Sequence, residues 1–385
     1  MSKSRKHIVF VHLLNDYSGS PLVLSQVLHL PAVAGCDRTL YTSGRGNTGF
    51  LSGIEGVEYK YFWYKWASNP WLRLINYTIS QLLLFFKMLQ YWRKDTTIYV
   101  NTLLPFGAAL AGRLMGKNVI YHVHETSMRP ALLKKFLRGV ARFTATKVIH
   151  VSKYLAATEA FSGISNEVVY NTLSPQFVAA AKQAADTEQH PFRVLMLCSL
   201  KRYKGVDEFV SLARRMPKIS FELVLNATGA EIAAWPSLLL PPLNLTVHPA
   251  QRNVHPFYQR ASLLINLSHP DEWVETFGMT VLEGMQYRLP AIVPPIGGIA
   301  ELVDHGVNGY LADYRDLQNI TSCINNLASN STLYAKMSAA ATEKAAAFGH
   351  APFAKSIIEC LSLNPAYEPE QAVVAGRGHL KSISI

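Results

Sequence analysis

The run ETFGMTVLE, residues 275–283, holds two carboxylates and a glycine at spacings that suit ligand chemistry. Glycine lets a backbone approach a ligand closely. If a helix opens at Phe277, Gly278 and Met279, its N-terminus offers unpaired N–H groups and a positive dipole end to an anion such as a diphosphate. Glu283 then falls about one turn into the helix, where a carboxylate accepts two hydrogen bonds from a vicinal diol. Glu275 precedes the helix and meets a different part of the same ligand. The spacing of the two glutamates is common, and alone it describes ordinary solvated helix residues. Paired carboxylates also permit glycoside hydrolysis, with one as acid and the other as nucleophile or base.

A second chemistry-bearing block is FRVLMLCSLKRYKGVDEFVSLARRM, residues 192–216, which reads as strand, basic loop, helix. Lys204-Gly205 closes the loop, behind Ser199, Lys201 and Arg202, and a lysine there presents a compact charge to a phosphate. In the N-terminal half, NDYSGSPLVLSQVL (15–28) places Gly19 between a strand and a helix. Ser20 before Pro21 also reads as an N-cap followed by a first-turn proline. YHVHETS (121–127) ends a strand in His124-Glu125, VVYN (168–171) ends in Asn171, and Ser152 in HVSKYL reads as a helix cap. No D-x-D occurs, and no His/Cys/Asp cluster has metal-ligand spacing. No G-x-G-x-x-G follows a strand, which excludes the usual dinucleotide oxidoreductase.

The elements that must position these residues alternate along the chain. Apolar, β-branched runs at 7–13, 38–42, 58–62, 97–101, 118–123 and 147–151 predict strands, as do 192–198, 220–225, 244–248, 262–266, 290–294 and 309–311. Helical patterns between them include 20–30, 72–93, 105–115, 131–143, 205–216, 279–287 and 331–347. Such alternation implies parallel sheets covered on both faces. The rhythm restarts near 192, so 172–190 is expected to be a linker. The expected domains are 1–175 and 191–363, with 364–385 as a loosely held tail. Ligands are then expected in a cleft between the carboxyl ends of the two sets of strands.

The 385 residues are 49% hydrophobic, ample for two cores. Four widely spaced cysteines fit free thiols in a reducing compartment. The charged start MSKSRKH runs straight into a strand, so a cytoplasmic location without a cleaved signal is expected. Residues 71–92 are apolar but interrupted by Arg73 and Lys87, which predicts a long amphipathic or buried helix that does not span a bilayer. Residues 1–185 carry 21 Lys and Arg against 8 acids, whereas 186–385 are near neutral. A basic half suggests an anionic partner: phosphate-bearing lipid, a membrane surface or nucleic acid. In 129–142, Lys134, Arg138 and Arg142 at i, i+4, i+8 form one expected basic face, and contact with an anionic membrane is expected there. No nucleic-acid-binding motif accompanies the charge.

The ordered set Glu275, Phe277-Gly278, Glu283, Leu289-Pro290, Gly297-Gly298, Glu301 and Gly306-Val-Asn-Gly309 resembles the retaining glycosyltransferases of family four. Arg288 stands where that family often has glycine. Lys204-Gly205 is similar to the family's Lys-Gly, although Ser199 replaces its arginine; Lys201 or Arg202 is available to restore that charge. The resemblance implies a GT-B fold, α/β, with two Rossmann-like doubly wound parallel-sheet domains facing across a cleft. It implies a metal-independent, retaining transfer from a nucleotide-sugar donor, and no cofactor. Ser199, Arg202, Lys204, Glu275, Phe277, Gly278, Met279 and Glu283 then bind the donor, with Lys204 on the diphosphate, Glu283 on the ribose and Glu275 on sugar hydroxyls. Gly19, Ser20, His124, Glu125 and Asn171 lie on the acceptor side, and Glu275, Lys204 and His124 serve catalysis. These roles remove the glycosidase reading. The expected acceptor is a glycan, lipid-linked, in surface-polysaccharide or lipopolysaccharide-type assembly, at the inner face of a membrane. A non-catalytic two-lobed nucleotide- or sugar-binding protein of the same fold is the alternative.

Overall fold

The computed structural model describes residues 5–44, 48–184 and 191–363. In the first of two compact units, β1 (His7–Leu14), β2 (Asp37–Ser43), β3 (Val57–Phe62), β4 (Thr96–Asn101), β5 (Asn118–Val123), β6 (Lys147–His150) and β7 (Ser165–Val168) form one sheet. Its order is β3-β2-β1-β4-β5-β6-β7, and every pairing is parallel. The second unit holds β8 (Arg193–Ser199), β9 (Ser220–Asn226), β10 (Leu245–His248), β11 (Leu263–Ile265), β12 (Ala291–Val293) and β13 (Gly309–Leu311). They pair in the order β10-β9-β8-β11-β12-β13, again all parallel. Strand order reverses beside β1 and beside β8. Those are the switch points where such sheets bind ligands, at the carboxyl ends of their strands.

Helices join successive strands. The first unit has α1 (Gly19–His29), α2 (Pro31–Ala34), α3 (Pro70–Met88), α4 (Phe106–Leu114), α5 (Ala131–Thr144) and α6 (Lys153–Glu159). The second has α7 (Pro175–Ala184), α8 (Val206–Arg215), α9 (Gly229–Ala233), α10 (His255–Gln259), α11 (Met279–Gln286), α12 (Leu317–Ser329) and α13 (Ser331–Ala346). The last helix is α14 (His350–Cys360). Central strands such as β1 are buried on both faces, which is why they read as unbroken apolar runs rather than alternating ones. Ser152 caps α6, its Oγ accepting from Leu155 N at 3.1 Å.

Two boundaries differ from the sequence expectation. The units part between Tyr170 and Asn171, and the expected linker 172–190 contains α7, which belongs to the second unit. Phe177 and Ala181, one turn apart, are buried there, with Phe177 against His255 and Tyr258. Residues 185–190 and the expected tail 364–385 lie outside the described residues. From Phe353 the chain belongs to the first unit, not to the domain that precedes it. Phe353, Ile357, Cys360 and Leu361 are buried in one cluster with Phe10, Leu24 and Tyr99. At the end of α14, Lys6 Nζ donates to Leu361 O at 2.6 Å and Lys147 Nζ to Cys360 O at 3.3 Å. Cations at a helix C-terminus answer its unpaired carbonyls.

Candidate functional site

In the second unit the chemistry lies on two loops, one after β8 and one after β11. Gly205, at φ 79°, joins the first loop to α8. A Cβ there would come within 2.4 Å of Leu267 O, so only glycine lets the two loops cross. His269 N donates to Tyr203 O at 2.8 Å across the same crossing. The result brings Lys204 Nζ onto Glu275 Oε1 in a partly buried ion pair, and Ser268 Oγ donates to the same oxygen at 2.9 Å. Tyr203 and Trp273 stack with centroids 5.5 Å apart, and Lys204 Nζ lies 5.8 and 5.9 Å from their ring centres. The Gly297-Gly298 turn grips Glu275 from behind. Gly298 N donates to Glu275 O at 2.8 Å, and a Cβ on Gly297 (φ 107°) would reach 2.5 Å from that oxygen.

Gly278 N-caps α11, so the helix's first N–H groups begin at Met279, four residues after Glu275. Phe277 is buried, with its ring against Phe348. Ser199 ends β8, and the thiol of Cys198 before it is pushed up to about 12 by burial. Arg202, one replacement for the family's arginine, is an exposed partner of Glu272 at 3.2 Å. That hydrogen bond holds the Glu272 carboxyl below its ordinary range. Lys204 is therefore the cation that the fold ties to Glu275.

Glu283 is 1% exposed and accepts a hydrogen bond from Tyr258 Oη at 2.6 Å. Tyr287 stacks on Tyr258 at 5.6 Å and meets His255 Nδ1 through its hydroxyl. Burial and the nearby carboxylate raise the Tyr258 phenol well above its ordinary value, so it acts as a donor. Sequence reasoning missed Tyr258, Ser268 and the Tyr203–Trp273 stack. Both aromatics of that stack lie within two residues of Lys204 or Glu275, which was the available signal.

In the first unit the expected acceptor-side residues gather on Asn101, the fully buried last residue of β4. His124 Nε2 lies 2.9 Å from Asn101 Oδ1. Asn101 Nδ2 donates to Ser20 O at 3.0 Å and lies 3.1 Å from His12 Nδ1. His12 Nδ1 also lies 3.3 Å from Asn101 O, and with the amide so oriented His124 donates at Nε2. Burial lowers His12 to about 4 and His122 to about 3, and it holds His124 well below the ordinary histidine value. Glu125 accepts from Leu103 N at 3.2 Å and His124 N at 3.1 Å, and burial still raises its pKa.

Ser20 is not the N-cap. α1 starts at Gly19, and Asp16 Oδ1 accepts from Ser18 N at 2.9 Å. The earlier start leaves Ser20 inside the first turn, with its carbonyl on Asn101. Asn171 lies beyond β7, at the beginning of the second unit. It is buried, and its Oδ1 has no hydrogen-bond partner among the described residues. His12 and Asn101 escaped sequence reasoning. Their signal was a polar residue near the carboxyl end of an otherwise apolar parallel strand.

The sequence model of the glycosyl transferases group 1 matches residues 179–344, which include the whole of both loops. Among relatives, the chain is 25% identical over 225 residues to a D-inositol 3-phosphate glycosyltransferase of Thermobispora bispora, covering 54% of this chain and 52% of that one. The chain thus spans about half the length of the curated relatives it matches first. Among solved structures it is similar to Anabaena HepE in complex with UDP and glucose, with a TM-score of 0.73 at 20% identity, covering 93% of this chain and 99% of that one. A lipopolysaccharide outer core galactosyltransferase, WaaB, superposes with a TM-score of 0.69 at 16% identity over 93% and 99% of the two chains. Both likenesses extend over the two sheets and establish the GT-B fold of this chain.

The basic face expected on 129–142 is not one surface. Lys134 Nζ lies 2.6 Å from Glu159 Oε1, and Arg138 pairs with Glu159 Oε2. A buried acid at the end of α6 thus takes two of the three cations and pins α5 to it; Arg142 stays exposed.

Proposed function

We propose that the protein is a retaining glycosyltransferase that moves a sugar from a nucleotide-sugar donor to a glycan acceptor. The observation that carries this reading is the Lys204–Glu275 pair beside the N-terminus of α11, fixed from both sides by Gly205 and Gly297-Gly298. An ammonium and a carboxylate held at one helix N-terminus suit a ligand whose anionic and hydroxyl groups are neighbours, as in a sugar diphosphate. When donor binds, Lys204 turns to the diphosphate together with the helix N–H groups, and Glu275 takes sugar hydroxyls. A cation about 4 Å from the phosphate is worth on the order of 4 kcal/mol at an effective dielectric near 20. Expressed in the transition state, that is roughly a thousandfold in rate. The leaving phosphate then receives the acceptor's proton on the face it vacates, which retains configuration. Glu283 holds the ribose, while His124 and Glu125 serve the acceptor.

The finer reading is a lipid-linked acceptor in surface-polysaccharide or lipopolysaccharide-type assembly on the cytoplasmic side. It is supported by the basic first unit and by the kind of enzyme WaaB is. UDP-sugars are the first donors to test, because HepE is seen with UDP and glucose. Purified protein incubated with a panel of nucleotide sugars should release nucleotide from one of them, and Lys204→Ala should cut that release by a hundredfold or more at unchanged melting temperature. Undiminished release by Lys204→Ala would sink the assignment. Donor binding without turnover, with any acceptor pool, would favour the non-catalytic alternative.

A further inference from the structure

α3 is built inside out. Its buried side includes Asn76, Tyr77, Ser80 and Gln81, whereas Trp71 is 76% exposed, Phe86 65%, Ile75 54% and Leu82 54%. The polar side chains are spoken for within the unit. Asn76 Nδ2 donates to Lys65 O at 2.8 Å, Gln81 Oε1 accepts from Gly107 N at 3.1 Å, and Tyr77 Oη donates to Leu104 O. An ordinary surface helix does the reverse, with its apolar stripe toward the core. The exposed stripe recurs at 72, 75, 79, 82, 83 and 86, one side of a helical cylinder.

Neighbouring helices add exposed apolar side chains. Beneath them, buried Tyr77 meets Phe106 of α4 with ring centroids 5.7 Å apart, and Phe106 meets Phe136 of α5 at 5.2 Å, which packs the three helices together. On α5 and beside it, Leu132 is 78% exposed and Phe143 64%. Ahead of α3, Trp66 is 60% exposed. Large apolar side chains left in water together along one side of a helix mark an interaction site.

Charge identifies what covers it. From Lys65 to Arg142 the chain holds twelve Lys and Arg against two acids, Asp95 and Glu125. Glu125 is turned onto the backbone of Leu103 and His124. The exposed cations include Lys65, Lys87, Arg113, Lys135 and Arg142, on or beside the helices that carry the apolar face. A second copy of the chain would set this face against itself in a two-fold contact, like charge on like. An anionic bilayer answers both properties: acyl chains take the aromatic and aliphatic side chains, and headgroups take the cations. No helix among the described residues is long and apolar enough to cross a membrane, so α3, 19 residues and about 28 Å long, lies in the interface plane.

We infer that the outer face of α3, continued by α5, seats the first unit on the surface of an anionic lipid bilayer. This does not rest on the transferase reading, because no donor-side residue takes part. The seat is the apolar face of α3 rather than the expected cationic row on α5, two of whose members are bound to Glu159.

The test is flotation of the full chain with vesicles of phosphatidylcholine containing one-fifth phosphatidylglycerol, beside vesicles of pure phosphatidylcholine, at low and high salt. The chain should float with the anionic vesicles, and each neutralised cation should cost about fivefold in partitioning. Leu82→Glu with Phe86→Glu should weaken binding at least tenfold. Both side chains are exposed, so circular dichroism and melting temperature should stay unchanged and show that the fold is intact. Tryptophan fluorescence should be quenched by brominated lipid, and Trp71→Phe should reduce that quenching. Equal flotation of the double variant, or no flotation of the parent with anionic vesicles, overturns the proposal. So does a dimer in sedimentation velocity that the double variant abolishes, since the occupant would then be a second copy.

Discussion

A carboxylate as buried as Glu283 has to be met by donors, and Tyr258 is one of them at 2.6 Å. Tyr258→Phe keeps the ring stack with Tyr287 but removes that bond. It should lower unfolding free energy by about 1–3 kcal/mol, read from the urea midpoint at constant slope. The same geometry recommends Glu283→Gln over Glu283→Ala as the probe of ribose binding, because alanine would strand the Tyr258 hydroxyl. Among the histidines, His12 is neutral in the fold, with a pKa near 4 against an ordinary 6.5. Between those values the unfolded chain binds more protons than the folded one, so stability is complete above pH 6.5 and is lost as pH falls toward 4. From pH 7 to pH 5 this one group should remove about 2 kcal/mol. His12→Asn should flatten the melting-temperature profile over that window, and an unchanged slope would show that His12 is not the group responsible.

At the scale of elements, α11 shows why one departure from the family pattern is tolerated. Arg288 has φ 63°, the left-handed conformation, at the position after the helix C-cap Tyr287. Arg288 N donates to Met285 O at 3.1 Å and Leu289 N to Gly284 O at 3.1 Å, the paired bonds of a Schellman ending, and Ser338 Oγ donates to Arg288 O at 2.6 Å. A side chain there costs about 1–2 kcal/mol that glycine avoids, against about 0.5–1 for glycine's greater unfolded freedom. Arg288→Gly should therefore raise stability by about 0.5–1 kcal/mol in thermal unfolding. The sequence revealed that glycine is usual here, but not how a non-glycine is accommodated, since the bond from Ser338 comes from α13, fifty residues on. Strand positions were readable because parallel strands buried on both faces are continuous apolar runs. α7 was not, because its two buried anchors, Phe177 and Ala181, sit in a polar, alanine-rich stretch whose helical stripe is too narrow to stand out. β7, SNEV, carries one apolar residue in four and is an edge strand, held by register with β6 rather than by its own pattern. Lys204 and Glu275 stood out in the sequence because each sits in a short block whose other residues are local to it. Asn101 with His12 and His124 was not, since three separate strands bring them together.

At the scale of the whole chain, its last described helix returns to the first unit. α14 supplies Phe353, Ile357 and Cys360, and the residue after it Leu361, to the core of the first unit, beside Ile8, Phe10, Leu24 and Tyr99 from elements formed more than 250 residues earlier. No periodicity could have shown which of two cores an amphipathic terminal helix joins; its apolar stripe fits either. The consequence is that residues 1–170 lack part of their own core. Phe353→Ala should cost about 3–5 kcal/mol and Ile357→Ala about 2–5, typical of large-to-small changes at buried sites. The location of the damage is the sharper expectation. Because α14 covers β1 and β4 in one unit and contributes nothing to the other unit's core cluster, hydrogen exchange should accelerate in the first sheet and stay slow in β8, β9 and β11. A fragment of residues 1–170 should by the same logic be loosely packed, with near-ultraviolet circular dichroism recovered on adding a peptide of residues 350–363. Accelerated exchange confined to the second sheet in Phe353→Ala would reverse the assignment and return α14 to the domain that precedes it in sequence.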